Sequence, residues 1–428
     1  VPEAAWLESI QRGAFEYFRQ ETNPANGLVL DKTAEDWPAS IAAVGLALAA
    51  YPVGVERGFV ARDDAIERVL TTLRFFWGSS QGPEPTATGY KGLFYHFLDM
   101  NTGARVWNCE LSTVDSALFF AGALAAASYF DRDAPAEREL RELAEKLYAR
   151  ADWQWAQNGG GTITHGWKPE SGFLPYRWEG YDEALILYVL ALGSPTHAVT
   201  PESYRAWAST YEWRKVYDWE LLHAGSLFIH QMSHVWLDFR GIQDDFMREH
   251  GIDYFENSRR ATYVQQQYAI RNPLGFAEYG ERCWGITASD GPGEMTIRTD
   301  GVERRFHDYL ARGAPDGPDD GTLAPWAVVA SLPFAPEIVL PTIEFFSELG
   351  LHQEHPYGFR ASFNPTWRDG TTHPAGWVSP WHFGVNLGPI ITMVENYRSG
   401  LVWQLMRGCP YVGEGLRRAG FTNGWLQV

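Results

Sequence analysis

Residues 111–130 read LSTVDSALFFAGALAAASYF. From Ala117 to Ala127 every position is Ala, Gly, Leu or Phe, so no polar stripe marks a side facing water. A helix apolar all round is packed on several sides, as an inner helix of a large core is. Ser112 reads as its N-cap, and Asp115, three residues on, completes a variant capping box. Further apolar-periodic segments predict helices at 3–21, 38–51, 61–78, 135–151, 181–193, 201–208, 227–239, 253–271, 324–331, 336–349 and 386–406. Pro38, Pro135 and Asp253 supply start signals for three of them. About a dozen helices with no low-complexity linker bury their apolar faces as six inner and six outer helices. The expected fold is therefore all-α dominated, a single (α/α)6 barrel over residues 1–428. The segments GLFYHFLDMNTGARVW (92–107) and GTITHGWKPESGFLPYRW (161–178) alternate about turn residues and predict β-ribbons at one end. A long irregular stretch at 352–382 is expected beside them, and loops of that length are more often functional than accidental. No self-similarity of 20–50 residues suggests a solenoid.

The 428-residue chain is 45% hydrophobic and 21% charged, the profile of a soluble globular protein with a sizeable core. Aromatic residues reach 15%, with 19 Trp, more indole than core packing asks for. Sugar clefts do ask for it, because CH-rich pyranose faces stack on aromatic rings. A formal net charge of −18 and the lack of a basic stripe argue against nucleic acid. No apolar run suffices to cross a bilayer; Ile41–Val55 is too short and contains Pro52. Cys109, Cys283 and Cys409 are too scattered for a zinc site or a disulfide framework, and three buried thiols are expected over one disulfide. The chain shows no signal peptide and begins at Val1, so a trimmed leader or tag is expected.

The chemistry-bearing clusters start at WEGYDEALIL (178–187), where two adjacent carboxylates open an apolar helix. Acidic residues suit a first helical turn, which lowers their pKa. A proton donor instead needs burial against aromatic groups, and Trp178, Tyr181 and Trp167 could supply it. Asp182 and Glu183 point about 100° apart on a helix; the apolar pattern sets Glu183 on the inward stripe with Leu187 and Leu190. In WNCELSTVD (107–115), Glu110 sits in the loop feeding the helix, an exposed acid or a pocket carboxylate. Asp115 divides evenly between capping and pocket roles. In IHQMSHVWLDFRGIQDD (229–245), His230, His234 and Asp238 fall on one helical face. Without the HExxH signature a metal site is disfavoured there, and a polar stripe in which Asp238 and Arg240 bind hydroxyls is preferred. Asp319 and Asp320 read as turn residues. Glu395, with Tyr397 and Arg398 close by, is an Arg-paired structural acid or a pocket residue. No GxSxG elbow, Walker A loop or credible GxGxxG appears. Carboxylates, indoles and a helical barrel are the ingredients of glycoside hydrolysis.

Long stretches resemble one family: VLTTLRFFWGS, WNCELSTVDSALFFAGAL, GWKPESGFLPYRWEGYDEALILYVLALGSPTH, LFIHQMSHVWLDFRGIQDDFMREHGIDYFENSRRATY, CWGITASDGPG, ARGAPDGPDDGTLAPWAVVASLPFAPEIVLP and ENYRSGLVW. It is the bacterial glucoamylase-like family, which includes the β-1,2-glucanases of glycoside hydrolase family 144 and is related to a domain of cyclic β-1,2-glucan synthases. The likeness runs from about residue 8 to residue 426. It implies an (α/α)6 barrel, no metal or other cofactor, and inverting hydrolysis of β-1,2-glucan or sophoro-oligosaccharides. The family's GY-(D/N)-EA segment places its Glu on Glu183, the acid candidate; its WN-(C/A)-E segment places another on Glu110, with Asp115 following. Where relatives read (N/D)-QGP this chain has Asn386, Leu387, Gly388 and Pro389, so Leu387 replaces a polar residue. Trp107, Trp167, Trp178, Trp284 and Trp381 are the expected stacking platforms. Asp36, Tyr181, His234, Asp238, Arg240, Asp290 and Glu395 are the expected polar contacts. The partner expected is an oligo- or polysaccharide, with the oligomeric state open and the location periplasmic or secreted. The competing readings are an exo-acting glucoamylase-like enzyme or transglycosylase, a catalytically silent glycan-binding protein, and an epimerase or lyase relying on His230 or His234.

Overall fold

The computed structural model describes residues 3–299, 301–352 and 356–427. Its helices run, in order, α1 Glu3–Gln20, α2 Ile41–Glu56, α3 Arg62–Gly78, α4 Thr113–Tyr129, α5 Pro135–Arg150, α6 Trp153–Ala156, α7 Leu185–Gly193 and α8 Pro201–Ala208. There follow α9 Asp245–His250, α10 Tyr254–Arg271, α11 Pro325–Val329, α12 Pro336–Glu348, α13 Gly384–Arg398, α14 Leu401–Arg407 and α15 Pro410–Arg418. Helices dominate, and small sheets lie between them.

Two kinds of helix divide the work. α2, α4, α7, α11 and α13 are buried over most or all of their length, and all but α13, which carries Asn386, Glu395 and Asn396, are predominantly apolar. α1, α3, α5 and α12 are amphipathic and bury one face against them. α2 and α4 approach most closely where Gly45 meets Gly122: a Cβ on Gly122 would fall 1.9 Å from the Gly45 carbonyl oxygen. A side chain at either position would force the helices apart. Ser112 caps α4 as its sequence suggests, its Oγ accepting from the Asp115 N–H at 3.1 Å.

The two predicted ribbons do not stand apart. Leu93–Tyr95 and Gly166–Lys168 both pair with Leu111–Ser112, giving one five-stranded antiparallel sheet with Gly89–Tyr90 and Gly172–Phe173 at its edges. The strand leading into α4 is therefore its centre. That brings His96 and Glu110 side by side, the His96 N–H donating to the Glu110 carbonyl at 3.0 Å.

Other expectations need correction. Residues 227–239 form no α-helix but two 3₁₀ turns, Leu227–His230 and Met232–Val235. Gln231 separates them, its amide nitrogen held by the Ala327 carbonyl and Ser331 Oγ. The helix expected at 181–193 starts only at Leu185, because the Asp182 carboxylate takes the Ala184 N–H in a turn of its own. The helix expected at 386–406 divides at Ser399 and Gly400, where Gly400 has φ +71°. α6, α9 and α15 escaped the sequence reading; they are short, and α15 contains two weak helix formers, Gly413 and Gly415. In the 352–382 stretch, Phe363–Asn364 pairs with Trp377–Val378, and 353–355 lie outside the described residues. The three cysteines are buried and free.

Candidate active site

The N-terminal ends of the apolar helices converge on one cavity of about 740 Å³. Ser40 and Ala42 reach it from the start of α2, Asp115 from α4, Trp326 from α11 and Asn386 from α13. Glu183 reaches it from the turn that feeds α7. Further lining comes from the loop between α1 and α2 (Asp31, Lys32, Trp37), from segments flanking the sheet's strands (His96, Trp107, Glu110), from the two 3₁₀ turns (Phe228, Met232) and from a segment before α11 (Asp290, Asp308, Tyr309). Six carboxylates thus share the space: Asp31, Glu110, Asp115, Glu183, Asp290 and Asp308. Among the described lining residues Lys32 is the one permanent cation, held over the Trp37 ring at 4.1 Å.

The carboxylates differ in charge because their surroundings differ. Among the described residues no cation is paired with Glu183. Burial, reinforced by the negative charge of Asp115, pushes its pKa up to about 7. Burial likewise raises Asp31 and Asp290, which accept from Trp37 Nε1 at 3.0 Å and Ser379 Oγ at 2.6 Å. Glu110 is half-buried, which raises it, yet it is lowered on balance because His96 hydrogen-bonds and faces it. His96 Nδ1 lies 2.5 Å from Glu110 Oε1, and Nε2 lies 3.5 Å from Asp115 Oδ2. Asp115 Oδ2 also accepts from Ser112 Oγ at 2.6 Å, so one residue both completes the cap and faces the cavity. The donor atoms of His96, Glu110 and Asp115 fall within 4.8 Å of one another, a composition a divalent ion accepts. Here the imidazole itself spans the two carboxylates. The Tyr309 phenol is raised to about 12 by desolvation in the cavity and by the charges of Asp31, Asp115, Asp290 and Glu183.

The wall that carries Asp290, Asp308 and Tyr309 is bolted from behind. The fully buried Arg312 donates to the Ser289 carbonyl at 2.7 Å and to the His307 and Asp308 carbonyls at 3.0 Å. Asp320 pairs with its guanidinium at 2.8 and 2.9 Å. Asp320 reads as a turn residue in the sequence, and in the structure it is the counter-ion of this bolt.

The structure brings Glu183, Glu110, Asp115, Trp107, Trp178 and Asp290 together at the cavity. Trp107 is 53% exposed and set against Trp37, ring centroids 4.7 Å apart. Trp178 contributes less surface than expected: His165 covers its face at 3.8 Å, and its Nε1 donates to Thr113 Oγ1. Asp36 lines a smaller adjoining pocket of about 330 Å³, which shares Trp37 and Trp107 with the main cavity. Trp381 stands behind Lys32, its ring 5.6 Å from Nζ, and does not line the cavity.

Seven expected contacts lie elsewhere. Trp167 packs into an aromatic group with Tyr90 and Trp155, and Trp284 is wholly buried in the core. Tyr181 stacks on Tyr254. Loss of the 227–239 helix removes the polar stripe: His234 sits between Phe239 and Phe334 with Ser258 Oγ on its Nε2. Asp238 is buried under the guanidinium groups of Arg240 and Arg407, and Arg240 lies over the Trp403 ring. Glu395 is a structural acid, bound to Arg57 by two 2.8 Å contacts and to Gln11 and Ser399.

Asp31, Lys32, Trp37, His96, Asp308 and Tyr309 were missed. None stands in a chemical motif. His96 earns notice once Tyr95 is known to pair with Leu111.

A helix-dominated fold whose apolar helices present their N-termini to an acidic, indole-lined cavity suits recognition of an uncharged polyhydroxylated ligand. The family profile described as "Putative glucoamylase" (Glycoamylase) matches residues 175–410, and the chain belongs to that family. A Bacteroides uniformis protein of the same description is 32% identical, with a TM-score of 0.87 over 100% of this chain and 99% of that one. The chain is 26% identical to the exo-β-1,2-glucooligosaccharide sophorohydrolase (non-reducing end) of Parabacteroides distasonis, over 96% of its own length and 57% of that protein's. It shares the fold of an endo-β-1,2-glucanase of Chitinophaga pinensis, solved with sophorotriose and glucose, at 24% identity and a TM-score of 0.87 over the whole of both chains.

Proposed function

We propose that this protein is an inverting glycoside hydrolase that cleaves β-1,2-glucan or sophoro-oligosaccharides, and that its helices form an (α/α)6 barrel. The observation that carries the reading is the divided charge of the cavity. Glu183 holds a proton near neutral pH, while Glu110 in the same space is held ionised against His96, which also faces Asp115. Glycosidases need that division: one carboxyl group protonates the leaving oxygen and the other activates water. Glu183 is the acid, and water activation falls to the Asp115–Glu110 pair. Trp37, Trp107 and Tyr309 offer rings to pyranose faces. The names of the Parabacteroides and Chitinophaga relatives support the β-1,2 linkage. The exo action in the name of the Parabacteroides relative favours, as a second reading, release of sophorose from the non-reducing end.

The test is incubation with linear β-1,2-glucan, β-1,3-glucan and starch, with products resolved by size and anomer. Only the β-1,2-glucan should be cleaved, and inversion releases the α-anomer first. Sophorose alone from the earliest times marks exo action, and a ladder marks endo action. Glu183→Gln should lose about 10²–10⁴ in kcat. Cleavage of starch, a β-anomeric first product, or full activity in Glu183→Gln would each refute the corresponding part.

A further inference from the structure

His96 stands in no motif, yet it sits at the centre of the cavity's charge. Its two ring nitrogens face Glu110 Oε1 at 2.5 Å and Asp115 Oδ2 at 3.5 Å. Both partners are acceptors. A neutral imidazole has one N–H and would turn a lone pair on one of them; an imidazolium satisfies both. The ring is held in this pose from two sides. It stacks on Phe97 at 4.0 Å with 8° between planes, and its backbone is tied to the Glu110 carbonyl.

We propose that His96, as the imidazolium, is a positioning residue and counter-ion that keeps Glu110 ionised beside Asp115, so that the water-activating group stays charged while Glu183 keeps its proton. The role in catalysis rests on the hydrolase reading; the charge of His96 does not. The groups around the cluster agree with it. Asp31 faces His96 from the loop after α1, Lys168 faces Glu110 from the neighbouring strand, and Glu183 and Tyr309 face Asp115. Burial opposes a charged imidazole, but Asp115, Glu110 and Asp31 outweigh it and push His96 up to about 9. Without that cation Glu110 would lose the strongest influence opposing its burial, leaving a backbone hydrogen bond and Lys168, and its proton would return at higher pH.

Two experiments test this. In the wild-type protein with ¹⁵N-labelled histidine, NMR at pH 7.5 should show one imidazolium that titrates near pH 9, assigned by its loss in His96→Gln or His96→Lys. A neutral His96 at pH 7.5 overturns the proposal, and the measurement needs no substrate. In kinetics, His96→Gln should move the acid limb of the kcat/KM profile up by about one pH unit or more. The loss should deepen as pH falls, approaching tenfold or more below the wild-type limb, and recover towards pH 7, and His96→Lys should return the limb towards wild type. A loss that is uniform across pH, with the limb unmoved, assigns His96 a merely structural role and overturns the proposal. Should His96→Gln fail to fold, the wild-type titration decides alone.

Discussion

Glu183 and Glu110 are the same amino acid in one cavity, yet their pKa values move in opposite directions. Burial acts on both; His96 stands beside only one of them. The linkage has a defined sign. The folded pKa of Glu183, about 7, lies above its ordinary 4.5, so its contribution to stability is full below about pH 4.5 and is lost as pH rises through 7. Glu183→Gln should therefore melt at a higher temperature than wild type at pH 8 and at a similar temperature at pH 4. Differential scanning calorimetry at the two pH values reads this directly; equal shifts at both would place the carboxyl in open solvent. In the wild type, kcat should fall as pH rises through 7, because the proton donor is lost. The sequence placed Glu183 among aromatic groups, but it set the residue on a helical stripe and credited Tyr181 with shielding. In the structure Glu183 lies in a turn, and Tyr181 packs on Tyr254 outside the cavity lining.

At the scale of elements, α2 and α4 show how packing sets the cavity. Their contact at Gly45 and Gly122 lets two all-apolar helices lie nearly backbone to backbone, and both open their N-termini at the site. Gly122→Ala should cost about 1–3 kcal/mol by overpacking, measured by urea unfolding. It should also weaken activity, because Asp115 rides on α4. An unchanged unfolding midpoint would show that the helices can separate without loss. The α4 cap was legible because capping is local: Ser112 and Asp115 lie three residues apart. The apparent helix at 227–239 misled for the complementary reason. Its periodicity is helical, but Gln231 is claimed by Ala327 and Ser331, about a hundred residues away, and such long-range bonds leave no periodic trace. The sheet centred on Leu111–Ser112 was hidden in the same way, since two ribbons read separately share a strand that was read as a helix start.

At the scale of the molecule, the charge of −18 extends into the cavity, where six carboxylates face one lysine and the His96 cation. An uncharged sugar tolerates that field; an anionic ligand is repelled by it. The three thiols are buried and unpaired, and burial raises all of them. Dithiothreitol should leave the melting temperature unchanged within about 1 °C, since no cross-link constrains the unfolded chain. A fall on reduction would reveal a bond between chains or a rearranged fold.

Helix content, the apolar inner helices, the α4 cap, the indole-rich composition and the clusters holding Glu110, Asp115 and Glu183 were determined by the sequence alone, because each is written in residue type or in spacings of a few positions. The tertiary structure alone decided which indoles face the cavity, that Asp238 and Glu395 are neutralised by arginines, and that His96 spans two carboxylates. The reason is physical. Burial and electric field depend on what the folded chain brings within a few ångströms, and residues far apart in sequence supply most of it.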